Sequence, residues 1–205
     1  MGFSSSIKFS AFLYIPGGML VSAFEHGIFS AFTYLIGIFA VQLLFGLEFI
    51  LKNARGYYLM AYDFDRKFAQ SESINFQYWT EEYNHSKECE RLLLALHLGC
   101  LIIFLLFKWT NSSSIQSLFK EVRLWPLTFE HRKLNNYNTF MIISCSNFIG
   151  MAFSRGTHQQ FYAWYSFSFP FIVNACSETF GPLAQIAFIL MLEVSWSVGK
   201  PHNSM

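Results

Sequence analysis

The stretch "IFSAFTYLIGIFAVQLLFGLEFIL" (residues 28–51) is an almost unbroken apolar run with one charged side chain, Glu48. An α-helix rises about 1.5 Å per residue, so about 20 apolar residues cross the hydrocarbon core of a bilayer about 30 Å thick. The stretch therefore predicts a membrane-spanning helix.

The composition of the whole chain has the same character. Of its 205 residues, 53% are hydrophobic, 20% are aromatic and 13% are charged, whereas a soluble domain carries about 25% charged residues. The 25 phenylalanines exceed what a small soluble core accommodates. The net charge of +1 offers no basic surface for nucleic acid. Composition thus predicts a membrane protein without a nucleic-acid partner.

Five further apolar runs flank this stretch. The six predicted spans lie near residues 9–24, 28–51, 92–107, 137–153, 161–176 and 182–198. Pro16 and Pro170 predict that the first and fifth are kinked or re-entrant, which is tolerated where neighbouring helices satisfy the backbone. No repeat or linker is evident. The predicted fold is all-α, a polytopic membrane helical bundle forming one membrane domain over residues 1–205.

Two long polar connections, residues 52–91 and 108–136, give a topology. The basic residues of the second connection flank the helix ends, so the positive-inside rule favours a cytoplasmic position for it. Residues 52–91 and 154–160 are then expected in the lumen. Sequons at Asn84 and Asn111 fall in opposite connections, and only a luminal asparagine can be glycosylated.

Signatures of other chemistry are absent or weak. The sequence contains no P-loop, nucleophile-elbow or zincin motif. Its four cysteines are scattered, with no C-x-x-C pair, so no metal site is predicted. Acidic residues in or beside apolar runs, Glu48, Glu178 and Glu193, keep proton or ion transport open as an alternative class. A transporter is expected to contain inverted repeats, and the sequence shows no such symmetry, which argues against this class.

A polar segment, Ser154–Gln160, separates two apolar runs. Arg155 and His158 are three residues apart and share a face if a helix begins there. Arginine can bind phosphate with two parallel hydrogen bonds. The nearby donors and acceptors are Gln160, Tyr162 and Tyr165. The alternative is an interfacial cluster in which Arg155 extends to the headgroups beside an aromatic belt. Spacing alone favours this alternative.

Two other segments carry candidate chemistry. Asp63 and Asp65 are two residues apart beside Arg66; paired carboxylates can act as acid and base or hold a metal, although a solvated loop with ion pairs is the commoner case. In "FQYWTEEYNH" (residues 76–85) aromatic and acidic side chains alternate. This pattern fits an amphipathic segment on the membrane surface. It also fits a sugar site, since carbohydrate stacks on aromatic faces. The pattern alone favours the surface segment.

The stretch "SNFIGMAFSRGTHQQFYAWY" (Ser146–Tyr165) closely resembles a signature of endoplasmic-reticulum alpha-1,3-mannosyltransferases that use dolichyl-phosphate-mannose, S-N-F-I-G-x-x-F-S-R-S-L-H-Y-Q-F-Y-x-W-Y. The departures are Gly156, Thr157 and Gln159. Residues 6–17, 42–68 and 192–197 resemble further family motifs in the same order. Matching positions there include Lys8, Pro16, Asn53, Gly56, Tyr57, Asp63, Arg66 and Phe68, whereas Glu48 and Asp65 replace a proline and a glycine.

The resemblance implies a multi-pass endoplasmic-reticulum membrane protein with part of a GT-C type glycosyltransferase fold. The implied reaction transfers mannose from dolichyl-phosphate-mannose to the five-mannose dolichyl-diphosphate oligosaccharide of N-linked glycosylation, with inversion and without a cofactor. The implied partners are the lipid-linked donor and acceptor and membrane lipid. Arg155 and His158 would stabilise the leaving phosphate, helped by Gln160, Tyr162 and Tyr165.

The resemblance also implies a missing part. Family members are longer, Lys8 aligns near their middle, and the acidic base is expected in their front half. Within this chain Asp63 and Asp65 are the candidate bases. We expect a fragment, an incomplete gene model or a shortened paralogue. The alternative function is a catalytically inactive membrane paralogue or a lipid-binding scaffold.

Overall fold

The computed structural model describes residues 9–61, 73, 75–76, 78–109, 133–155, 157, 159–177 and 179–198. Every regular element in these residues is helical, which confirms the predicted all-α class. The α-helices are α1 (Ile15–His26), α2 (Ile28–Ala61), α3 (Glu81–Asn84), α4 (Lys87–Phe104), α5 (Asn136–Ala152), α6 (Phe169–Asn174) and α7 (Pro182–Val198). The 3₁₀ segments are Phe9–Tyr14 and Gln159–Trp164, and a π-helical turn, Leu105–Trp109, follows α4.

Two helical stretches, Ile28–Ala61 and Lys87–Trp109, are long and apolar enough to cross a membrane. A shorter apolar helix covers Pro182–Ser195. Large apolar side chains on these helices, such as Phe29, Ile102 and Leu183, are exposed. Such surface is unfavourable in water and favourable in lipid. The structure thus has membrane-length apolar helices, and the six spans stay a prediction.

The chain divides into two compact units, residues 1–66 with 104–146 and residues 67–103 with 147–205. In the first unit, α1 and α2 form a helical hairpin. Pro16 lies in the first turn of α1, where a missing N–H does no harm. Gly27 ends α1 with φ 88°, a conformation that glycine adopts without strain, and its N–H donates to the carbonyl of Ala23 at 2.9 Å.

The middle of α5, residues 142–146, packs closely against α1 in this unit. The hydroxyl of Ser146 accepts from the N–H of Gly17 at 3.1 Å and donates to the carbonyl of Leu13 at 2.9 Å. A Cβ placed on Gly17 would lie 2.9 Å from the carbonyl oxygen of Ile142 and 2.9 Å from the Cα of Ile143. Glycine at position 17 is therefore required for this close approach.

Helix α2 is broken at Asn53, whose φ of −158° and ψ of 81° are not helical. The side-chain oxygen of Asn53 accepts from the N–H of Gly56 at 2.9 Å, as an asparagine does when it caps a new helix. The break follows Leu51 closely, which is the end of the predicted second span.

The second unit is organised around the end of α5. Asn147 is fully buried, and its amide donates to the carbonyl of Trp164 at 3.1 Å. The ring of Phe148 packs on Tyr165 and Phe169 at centroid distances of 5.4 and 5.5 Å. Residues 159–174 are divided between a 3₁₀ segment, turns and α6, which has Pro170 in its first turn. Helix α6 packs on α7.

Candidate functional site

The polar segment begins where α5 ends, and Asn75 holds the junction. The side-chain amide of Asn75 donates to the carbonyl of Met151 at 3.3 Å and to the carbonyl of Ser154 at 3.1 Å. The last carbonyls of a helix lack intrahelical donors, so a side-chain amide is a suitable cap. Asn75 thereby fixes the backbone on the N-terminal side of Arg155.

Arg155 is bound by two groups of the first long polar connection, residues 52–91. One terminal nitrogen donates to the backbone carbonyl of Asn84 at 3.0 Å, and the other lies 3.6 Å from a carboxylate oxygen of Glu90. The ammonium of Lys87 is 3.3 Å from the same carboxylate oxygen. Arg155 is 29% exposed, so the guanidinium is ordered by the protein and still reachable from outside.

Local sequence places these partners. Thr80 caps α3, because its hydroxyl accepts from the N–H of Tyr83 at 3.3 Å. Ser86 caps α4, because its hydroxyl accepts from the N–H of Cys89 at 3.1 Å. Both residue types are favoured at helix N-termini. Glu90 then lies in the first turn of α4, where a carboxylate is stabilised by the helix dipole.

Lys87 and Arg155 both lie within ion-pair distance of the carboxylate of Glu90. We call these three residues the cationic cluster. A guanidinium has five N–H donors, and the two contacts of Arg155 do not use all of them. The cationic cluster can therefore bind an anion, and a planar guanidinium suits phosphate.

Buried polar atoms lie along the same segments. Within the described residues, the side-chain oxygens of Asn84, Asn147 and Thr157 are buried without a hydrogen-bond partner. Thr157 is itself almost fully buried two residues after Arg155. Such atoms destabilise a fold by about 1–3 kcal/mol each when left unpaired. Two of them, on Asn84 and Thr157, make the surroundings of Arg155 more polar than an ordinary helix-packing core.

Tyr162 and Tyr165 belong to a second cluster. The hydroxyl of Tyr162 donates to the carboxylate of Glu193 in α7. The rings of Tyr162 and Tyr165 contact each other at 5.8 Å, and Tyr165 is buried against Phe148. Arg155 has no hydrogen bond or ion pair with either tyrosine in the described part of the chain.

The sequence-predicted residues thus fall into three groups. Arg155 lies in the cationic cluster, and Tyr162 and Tyr165 form the pair beside Glu193. His158, Asp63, Asp65 and the side chain of Gln160 lie outside the described residues. The sequence did not single out Asn75, Lys87 or Glu90. The cap at Ser86 and the acidic first turn of α4 signalled a helix start, but nothing local linked it to Arg155, 65 residues beyond Glu90.

Four aromatic side chains between Asn75 and Asn84 form a connected group, which we call the aromatic cluster: Phe76, Tyr78, Trp79 and Tyr83. Trp79 stacks on Phe76 at 4.4 Å and meets Tyr78 and Tyr83 edge to face at 5.5 and 5.4 Å. Phe76 has φ 60°, a left-handed conformation that costs about 1–2 kcal/mol for a residue with a Cβ. Ring packing holds it there.

Asn75 provides a test of this arrangement. We expect Asn75→Ala to lower the free energy of unfolding by about 1 kcal/mol, because the carbonyl of Ser154 loses the amide donor and the carbonyl of Met151 keeps only the N–H of Ser154. Asn75→Asp has the same shape but cannot donate, so it should destabilise more than alanine. Thermal unfolding in one detergent measures both. Equal stability of all three proteins would contradict the cap.

The sequon at Asn84 gives a second prediction. Asn84 is only 5% exposed, so a glycan on its side chain is incompatible with the packing seen here. We expect folded Asn111→Gln protein to carry no N-glycan, shown by unchanged mobility after endoglycosidase treatment. The substitution removes the other sequon, which lies outside the described residues. A mobility shift in this variant would show that Asn84 is accessible.

Comparison with known proteins identifies relatives along nearly the whole chain. A family model described as ALG3 protein matches residues 1–204. The Dol-P-Man:Man(5)GlcNAc(2)-PP-Dol alpha-1,3-mannosyltransferases of Mus musculus and Homo sapiens are 29% and 28% identical over 194 residues, covering 94% of this chain and 44% of each relative. The protein of the same name from Arabidopsis thaliana is 29% identical over 203 residues, covering 94% of this chain and 46% of its own length.

These matches confirm the resemblance found in the sequence. The chain spans less than half the length of the curated relatives it matches. No solved structure matches it.

Proposed function

The chain belongs to the ALG3 protein family, and on that premise we propose that it transfers mannose from dolichyl-phosphate-mannose to the five-mannose dolichyl-diphosphate oligosaccharide, forming an alpha-1,3 linkage. The names of its relatives support the donor, the acceptor and the linkage. We place the reaction at the luminal face of the endoplasmic reticulum membrane, within the N-linked glycosylation pathway.

We also propose that the six predicted spans form a helical bundle in the membrane, and that this bundle is part of a GT-C type fold. The two membrane-length helices and their exposed apolar side chains support it. The hydrogen bonds that join Asn75 and Asn84 to residues 151–155 support a common side of the membrane for these segments, which the expected topology requires.

The observation that carries the chemical proposal is the state of Arg155, which is held by Asn84 and Glu90, remains partly exposed and keeps unused N–H donors. In the proposed reaction an acceptor hydroxyl attacks the anomeric carbon of the donor mannose. The bond between that carbon and the phosphate oxygen breaks, and dolichyl phosphate leaves with the negative charge. Fixed positive donors stabilise that charge most in a water-poor site. Arg155 is the described group suited to this role, and we add His158 as its partner.

The other proposed residues have supporting roles. Tyr162, bound to Glu193, and the buried Tyr165 would position the segment that carries Gln160. The proton of the acceptor hydroxyl needs a base, and Asp63 and Asp65 are the candidates within this chain. Paired carboxylates are suited to proton transfer.

A rescue experiment tests the proposed function. The chain is expressed in cells that lack their own alpha-1,3-mannosyltransferase, its presence in the membrane fraction is verified, and the lipid-linked oligosaccharides are profiled. We expect conversion of the five-mannose species to longer species. Cells carrying the empty vector are the negative control, and cells carrying a full-length relative are the positive control. Persistent accumulation of the five-mannose species, with the protein present in the membrane, would favour an inactive paralogue or lipid-binding scaffold.

A further inference from the structure

The aromatic cluster has no part in phosphate binding, yet it is fastened to Arg155 and its backbone at both ends. Asn75, directly before Phe76, donates to the carbonyls of Met151 and Ser154. Asn84, directly after Tyr83, accepts a hydrogen bond from Arg155 at 3.0 Å. A ligand on the aromatic cluster would therefore lie on the segment that orders the guanidinium.

We propose that the aromatic cluster binds mannose rings of the acceptor oligosaccharide. This inference rests on the proposed function and extends it to the acceptor. Trp79 is the central ring, because it contacts Phe76, Tyr78 and Tyr83. Tyr78 is 78% exposed and supplies the accessible ring. A polyhydroxylated ring is the ligand class that this combination recognises.

The chemistry of the neighbouring side chains favours a sugar. A pyranose ring has apolar C–H faces that pack on aromatic rings, and hydroxyls that need acceptors. The tyrosine hydroxyls are polar groups on large apolar rings. Exposed carboxylates lie two and three residues after Trp79, on Glu81 and Glu82. A carboxylate accepts charge-assisted hydrogen bonds from hydroxyls. The aromatic rings can therefore pack on the face of a sugar while the carboxylates accept from its hydroxyls.

The same charges disfavour a membrane surface as the occupant. Segments that lie on membranes combine their apolar side chains with Lys and Arg, which are attracted to anionic headgroups. Here the two charged residues within the segment from Phe76 to Tyr83 are acidic, Glu81 and Glu82. The basic groups of the cationic cluster are paired with Glu90. The left-handed backbone at Phe76 also indicates a fixed arrangement of rings, because such a conformation persists only where the surroundings determine it.

Binding of the free oligosaccharide tests the proposal without requiring catalysis. The whole chain is purified in nanodiscs and mixed with the soluble oligosaccharide of five mannoses and two N-acetylglucosamines. Saturation-transfer NMR, which detects weak complexes, should show magnetisation reaching the mannose protons. We expect Tyr78→Ala to weaken binding about tenfold or more. The matched control is Tyr137→Ala, which removes another tyrosine that is 47% exposed and should leave binding unchanged.

Tyr78 is so exposed that its replacement should not affect folding. Absence of binding by the unmodified protein, or equal binding by Tyr78→Ala, would overturn the proposal.

Trp79 fluorescence distinguishes a sugar from lipid. Its signal is obtained as the difference between the unmodified protein and Trp79→Phe, a replacement that keeps a ring at this position. We expect the oligosaccharide to change this difference signal and lipids with brominated acyl chains to leave it unchanged. Quenching by brominated lipid without a response to oligosaccharide would assign the aromatic cluster to the membrane surface and overturn the proposal.

The outcomes separate this inference from the proposed function. If the protein binds the oligosaccharide but fails the rescue experiment, the sugar site is supported and the proposed transfer activity is rejected. If the unmodified protein and Tyr78→Ala both pass the rescue experiment with equal acceptor KM, the transfer activity is supported and the sugar site is rejected.

Discussion

Replacement of Arg155 with alanine is expected to reduce mannosyl transfer by about 100-fold or more, the range seen when one fixed donor to a developing negative charge is removed. Arg155 is ordered by Asn84 and Glu90 and remains partly exposed, so little rearrangement is needed when a phosphate arrives. Arg155→Lys keeps the charge but loses the planar fork, and we expect it to recover only part of the activity. The measurement is the rate at which membranes from the rescued cells convert the five-mannose species.

Two controls separate a role in phosphate binding from a role in folding. Arg91→Ala removes the same type of charge from an exposed position in α4, next to Glu90, and should leave transfer nearly unchanged. The amount and thermal stability of Arg155→Ala protein are measured alongside its activity. A purely structural role predicts that lost activity follows lost protein, whereas a phosphate role predicts a folded protein with slow turnover. Full transfer by folded Arg155→Ala protein would contradict the proposal.

The position of Arg155 shows what the sequence could reveal about the site. An arginine between two apolar runs is unusual enough to be noticed, and the family signature assigns it a role. Its partners could not be deduced, because Asn84 and Glu90 are 71 and 65 residues away along the chain. Each is placed by its own helix cap, at Thr80 and Ser86. Caps are local signals, whereas the pairing of two segments is not.

The fold was predictable to a similar extent. The length of residues 28–51 was enough to predict a long apolar helix, and Pro170 indicated that residues 161–176 would not form one straight helix. Apolar periodicity carries no information about the break at Asn53, which depends on one side chain accepting from Gly56. Nor does it reveal the hydrogen bond from the buried Asn147 to Trp164. Polar contacts inside a helical bundle depend on tertiary packing, which one segment does not encode.

The contact between α1 and α5 leads to the second prediction, a pair of identical substitutions with opposite effects. We expect Gly17→Ala to lower the free energy of unfolding by about 1–3 kcal/mol, the usual range for overpacking. The new Cβ would lie 2.9 Å from the carbonyl oxygen of Ile142 and 2.9 Å from the Cα of Ile143. Both are backbone atoms, so no side-chain rotation relieves the clash and the two helices must separate. Gly17→Leu should destabilise more than alanine does.

The matched substitution is Gly37→Ala in α2, where a Cβ meets no atom within 4 Å among the described residues. It should stabilise the protein by about 0.5–1 kcal/mol, because alanine loses less backbone freedom in a helix than glycine does. Thermal unfolding of both variants in one detergent gives the comparison. Ser146→Gly in the Gly17→Ala background should not restore stability. It removes the Ser146 Cβ, 3.0 Å from the new methyl group, but leaves both backbone clashes in place and also removes the hydroxyl that bonds Gly17 and Leu13. Equal and positive shifts for the two glycine variants would mean that α1 and α5 do not approach each other at Gly17.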